Sequence, residues 1–128
     1  MSSQDSQIMF VFPGQGSQYV GMGSDLIQDF PTARRLYEQA NDILGYDLIK
    51  LCQEGPEEDL RLTRHTQPAL LTHSLACLAV FRELTEDRVQ PTLAAGHSLG
   101  EYCALVAAGA LDFETALRLV QKRGECMG

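Results

Sequence analysis

Apolar residues fall into two patterns along this chain: two short continuous runs, and long stretches in which they recur three and four positions apart. Ile8-Met9-Phe10-Val11-Phe12, ended by Pro13-Gly14, reads as a strand buried on both faces, the kind that belongs to parallel sheets. From Pro31, a favoured first helical residue, Ala33, Leu36, Tyr37, Ala40, Ile43 and Leu44 repeat at helical spacing until Gly45 ends the pattern. A shorter helix is expected from Leu48 to Gln53, with Asp47 as its N-cap and Gly55 beyond its end. Thr66-Gln67-Pro68 opens a predicted helix through Leu84. Leu70, Leu71, Leu75, Ala76, Leu78, Ala79 and Phe81 make it apolar on most sides, so it should lie at the centre of the core.

The polar stretch from Glu83 to Gln90 turns the chain toward a second strand, Thr92-Leu93-Ala94-Ala95. A helix following Ser98 should run to Ala108 and stop at Gly109, and Asp112 should cap a last helix reaching the C-terminus. Strand, helices, strand and helices in this order imply an α/β layer fold with parallel strands joined by crossovers. Two strands are fewer than open α/β sheets usually carry, so the pattern reads as the first part of a larger domain.

Composition narrows the function classes. At 128 residues and 45% hydrophobic, the chain suffices for one globular domain, expected over residues 8–128 behind a flexible tail at residues 1–7. A net charge of −7 argues against nucleic-acid backbones and anionic membranes as general partners. No apolar run approaches the ~20 residues of a spanning helix, and Met1 to Gln7 lacks the basic start of a secretory signal, so the expected location is the cytoplasm. Cys52, Cys77, Cys103 and Cys126 form no C-x-x-C pair and are expected as free, mostly buried thiols. His73 and Cys77 stand four apart on a predicted helix, but without a second pair of ligands no metal site is expected.

Candidate chemistry centres on Gly96-His97-Ser98-Leu99-Gly100-Glu101. This is a G-x-S-x-G sequence between a predicted strand and a predicted helix, the setting of a nucleophile elbow. Gly96 and Gly100 allow a turn too tight for ordinary side chains, with Ser98 at its apex. The loop Pro13-Gly14-Gln15-Gly16-Ser17-Gln18 has neither dinucleotide nor P-loop spacing, since Tyr19 stands where the third glycine of the first would fall and Met22-Gly23 where Lys-Ser/Thr of the second would. It leaves the carboxyl end of a buried strand, where its amides could serve an oxyanion. Arg123 interrupts the apolar stripe of the last helix, so its guanidinium must either pair or snorkel to solvent, and pattern alone favours snorkelling. His97 adjoins Ser98, but neighbours at a sharp elbow point different ways. Neither it nor His65 nor His73 stands out as a base.

Four ordered stretches resemble the malonyl-CoA:acyl carrier protein transacylases: Phe10-Val11-Phe12-Pro13-Gly14-Gln15-Gly16-Ser17-Gln18, Thr66-Gln67-Pro68-Ala69-Leu70, Gly96-His97-Ser98-Leu99-Gly100-Glu101-Tyr102 and Arg123-Gly124. The resemblance implies the α/β-hydrolase-like, parallel-sheet large subdomain of an acyltransferase. It also implies malonyl transfer from malonyl-CoA to the phosphopantetheine thiol of acyl carrier protein, in fatty-acid or polyketide synthesis, through an ester on Ser98. By the same resemblance the amides of Gln15 and Leu99 form the oxyanion hole, Arg123 grips the malonyl carboxylate, and Gln67 either binds substrate or only shapes the pocket or caps a helix. For Arg123 this replaces the snorkelling reading. No cofactor and no metal are implied, and a monomer is expected for the full-length protein.

Members of that family continue into a ferredoxin-like small subdomain and return with a catalytic histidine. This sequence reaches Gly128 near where that insertion would begin, so the expectation is a truncated large subdomain that is inactive alone. Two other classes remain open. One is a serine hydrolase or thioesterase of the G-x-S-x-G type, in which water resolves the ester; the other is a non-catalytic module that binds acyl carrier protein.

Overall fold

The computed structural model describes residues 18–86 and 99–127, together with the backbone of two strands. These strands, β1 (Met9–Phe12) and β2 (Leu93–Gly96), pair in parallel with Met9 opposite Leu93 and Phe12 opposite Gly96. Continuous apolar runs thus form the parallel pair expected of them, and their carboxyl ends lie side by side.

Helices α1 (Ser24–Asp29), α2 (Pro31–Leu44), α3 (Leu48–Glu54), α4 (Glu57–Arg61) and α5 (Thr63–Leu84) separate the strands, and α6 (Gly100–Ala107) and α7 (Phe113–Met127) follow them. Pro31 opens α2, and Gly45, at φ +83°, closes it. Asp47 caps α3 by accepting from the Lys50 amide at 3.0 Å. Asp112 caps α7 by accepting from the Thr115 amide at 2.7 Å. These signals act within one turn, and the structure uses each as the sequence predicts.

Two helices lie where the apolar pattern assigns none. In α1 and α4 only Ile27 and Leu60 are buried, and five or six residues are too few to show a 3.6-residue period. Glu57, Glu58 and Asp59 fill the first turn of α4, where negative charge offsets the exposed amides of the helix start.

The third difference is the start of α5. It begins at Thr63, placing Pro68 inside the helix and not at its opening. Pro68 lacks an amide hydrogen, so the bond lost is the one to the Arg64 carbonyl in the first turn. Thr66, fully buried, donates from its hydroxyl to the Leu60 carbonyl and ties this turn to α4.

α5 is the axis of the core. Ala69, Leu70, Leu71, Leu75 and Ala76 are buried along it, meeting Tyr37 and Ala40 of α2 and Leu117 and Val120 of α7 in one cluster. Each leucine removed from water stabilises the fold by about 1.5–3 kcal/mol. α6 packs against both strands and also contacts α5 and α7, so the segment after β2 is held from the sheet side and the helical side.

Candidate active site

α7 approaches α5 closely because of Gly124. A Cβ built at this buried position would stand 2.9 Å from the Arg64 Cα and 3.0 Å from the Thr63 carbonyl oxygen, both backbone atoms that cannot swing aside. The glycine therefore sets the spacing of the two helices next to Arg123.

At that spacing Arg123 Nη1 donates to Gln67 Oε1 at 3.0 Å. Gln67 is 1% exposed on α5, and Arg123 is half-buried on α7. A guanidinium in the apolar stripe is thus paired inside the structure, and the snorkelling expected from pattern alone gives way. The Arg123 Cζ also lies 5.7 Å from the centroid of the Tyr102 ring on α6, within cation–π range. Tyr102 lies within the Gly96–Tyr102 motif but carries no role there; its place four residues after Ser98 is the signal in the sequence that points to it.

Leu99 is 1% exposed and stands at the N-cap of α6, where helix amides lack an intrahelical carbonyl partner. Its carbonyl accepts from the Tyr102 amide at 3.0 Å, closing the first turn. Ser98, Gln15 and His97 lie outside the described residues. Among the described residues, Leu99, Gln67 and Arg123 are the expected site positions, and Gln67 and Arg123 meet across 56 positions of sequence.

The described histidines are occupied elsewhere in the helical layer. His65 Nδ1 lies 2.8 Å from the Asp59 carbonyl oxygen, and its ring meets Tyr46 edge-on at 5.3 Å. His73 Nδ1 bonds the Tyr37 hydroxyl at 3.0 Å, and its Nε2 lies 3.6 Å from Cys77 Sγ beside a cleft of about 310 Å³ that Tyr19 and Asp25 also line. Burial holds His73 below the usual imidazole range and pushes the Cys77 thiol up. Among the described residues no three His, Cys, Asp or Glu gather as a metal ion requires. Cys52 and Cys103 are buried and Cys77 and Cys126 exposed, so the expectation of mostly buried thiols holds for two of the four.

The acyl transferase domain family matches residues 9–128. The chain belongs to the acyl transferase domain family. Within this family it is 52% identical over 122 residues to the malonyl CoA-acyl carrier protein transacylase of Bacillus subtilis, and 50% identical over 122 residues to that of Escherichia coli. These alignments cover 95% of this chain and 38% and 39% of the relatives, so the chain spans little more than a third of their length. A malonyl-transacylase solved in complex with a type II polyketide acyl carrier protein superposes with a TM-score of 0.89 at 52% identity, covering 95% of this chain and 39% of that one. An acyl carrier protein S-malonyltransferase from Vibrio cholerae gives 0.89 at 50% identity, with the same coverage. Among the described residues no helix of this acyl transferase domain is long and apolar enough to cross a membrane.

Proposed function

We propose that this acyl transferase chain carries the nucleophile and the carboxylate grip of a malonyl-CoA:acyl carrier protein transacylase. Ser98 Oγ attacks the malonyl thioester carbonyl, and the amides of Gln15 and Leu99 receive the negative charge that develops on its oxygen. Collapse of the tetrahedral intermediate releases the CoA thiol and leaves malonyl-Ser98. The phosphopantetheine thiol of acyl carrier protein then attacks that ester, takes the malonyl group and restores the serine. Arg123 holds the malonate carboxylate by charge-assisted hydrogen bonds, with Gln67 keeping the guanidinium in place.

The observation that carries this reading is the Arg123–Gln67 contact in a chain half identical to named malonyl transacylases. A hydrolase acting on neutral acyl groups has no use for a guanidinium fixed by a buried amide. The strand register supports it as well. Gln15 follows Phe12 by three residues and Ser98 follows Gly96 by two, and Phe12 and Gly96 are partners.

On this reading residues 8–128 are the N-terminal part of an α/β-hydrolase-like large subdomain, whose further strands, ferredoxin-like small subdomain and catalytic histidine lie outside these 128 residues. The 128-residue chain alone then forms no product at an enzymatic rate, because losing the base of a triad removes several orders of magnitude.

Brief exposure of the complete protein to malonyl-CoA, followed by peptide mass spectrometry, tests the proposal. A malonyl ester on Ser98, absent in Ser98→Ala and discharged by acyl carrier protein faster than by water, is the expected result. Label on a cysteine, or discharge by water alone, would falsify it.

A further inference from the structure

Gln67 holds one edge of the Arg123 guanidinium, and a contact on its face constrains the tilt of the plane in a way that a hydrogen bond to an edge does not. Tyr102 is placed to give that contact, with the guanidinium carbon 5.7 Å from the ring centroid and the ring half-buried against the core. Tyr102 belongs to α6, so this contact comes from a third helix beside α5 and α7.

That placement has a consequence for distance. The Tyr102 amide is bonded to the Leu99 carbonyl at 3.0 Å, in the turn that immediately follows Ser98. Leu99 and Gly100 are buried, so this turn is held rigidly against the core. A guanidinium resting on Tyr102 is thereby referenced to the start of α6, which follows Ser98 in sequence, while Gln67 references it to α5.

We propose that Tyr102 is a positioning residue for Arg123: its aromatic face holds the guanidinium at a fixed position relative to the Leu99–Tyr102 turn that opens α6, and so sets which acyl donors present a carboxylate within its reach. The inference rests on the malonyl reading above. It makes the ring face, and not the phenol hydroxyl, the working part of Tyr102. A cation on an aromatic face changes binding by about 3- to 30-fold, depending on how dry the site is.

The test uses the complete protein and compares Tyr102→Phe, Tyr102→Leu, Arg123→Ala and the Tyr102→Leu/Arg123→Ala double variant, with malonyl-CoA, succinyl-CoA and acetyl-CoA as acyl donors to Ser98. Tyr102→Phe keeps the face and should stay within about twofold of the parent. Tyr102→Leu should raise KM for malonyl-CoA about 3- to 30-fold with a smaller change in kcat, narrow the preference for malonyl over succinyl, and leave acetyl transfer unchanged. In the Arg123→Ala background it should add nothing. The nuclear magnetic resonance signal of the Arg123 Nε–H reads the contact without any turnover: its ring-current shift should persist in Tyr102→Phe and vanish in Tyr102→Leu. If Tyr102→Leu fails to fold, Tyr102→Met removes the ring at similar length. Equal losses for malonyl and acetyl donors, a Phe variant as impaired as Leu, or an unshifted Nε–H in the parent overturns the proposal. An active parent that shows no malonyl preference at all overturns instead the reading on which it rests.

Discussion

Arg123 of α7 donates to the buried Gln67 of α5 at 3.0 Å, across 56 positions of chain. If that guanidinium grips the malonyl carboxylate, Arg123→Ala in the complete protein loses contacts worth roughly 2–3 kcal/mol, or about 30- to 150-fold in kcat/KM for malonyl-CoA. Acetyl-CoA carries no carboxylate and should lose little. Arg123→Lys should recover only part, since an ammonium lacks the planar fork. Parallel kinetics with both donors decide the matter, and equal losses would make Arg123 purely structural.

Gly124→Ala should act on the same contact from behind. The added Cβ meets backbone atoms of α5 at 2.9 and 3.0 Å, so the helices must separate, at a cost of about 1–3 kcal/mol typical of overpacking. Urea unfolding of the complete protein measures the loss. Malonyl preference should fall with it, because the Arg123–Gln67 bond tolerates little displacement. Unchanged stability would show that α5 and α7 are less tightly apposed than 2.9 Å implies.

The four thiols should separate into two classes. Burial pushes Cys52 and Cys103 up to about 12, which leaves only about one part in ten thousand as thiolate at pH 8, and neither side chain reaches solvent. Iodoacetamide should therefore modify Cys77 and Cys126 in the native protein and reach all four only after denaturation. Peptide mapping distinguishes the classes; rapid native labelling of Cys52 would contradict the burial of α3 against the core.

His73 should make stability rise with pH across the imidazole range. Its folded pKa is lowered by burial below the ordinary imidazole value of 6.5, so between the two values the unfolded chain binds the extra proton. The stabilisation is complete above 6.5 and is lost as pH falls toward the folded pKa. Thermal unfolding between pH 5 and 8 should show a steeper rise for the parent than for His73→Gln. Identical profiles would mean that His73 titrates freely despite its bond to Tyr37.

Short-range features were legible in the residues alone. Apolar runs marked the strands, Pro31 and Gly45 bounded α2, and Asp47 and Asp112 capped their helices, because each of these effects acts within one turn or one strand. G-x-S-x-G singled out Ser98 for the same reason, since a tight turn is a local demand. Only the tertiary structure decided what lies between distant segments. The pairing of Phe12 with Gly96, the union of Arg123 with Gln67 and Tyr102, and the clash awaiting a Cβ at Gly124 depend on how α5, α6 and α7 pack, and packing is fixed by contacts that no local period encodes. The fate of Arg123 shows the division. In sequence it is a cation in an apolar stripe, for which the pattern alone favours snorkelling; a buried amide from another helix supplies the hydrogen bond that makes pairing the outcome instead.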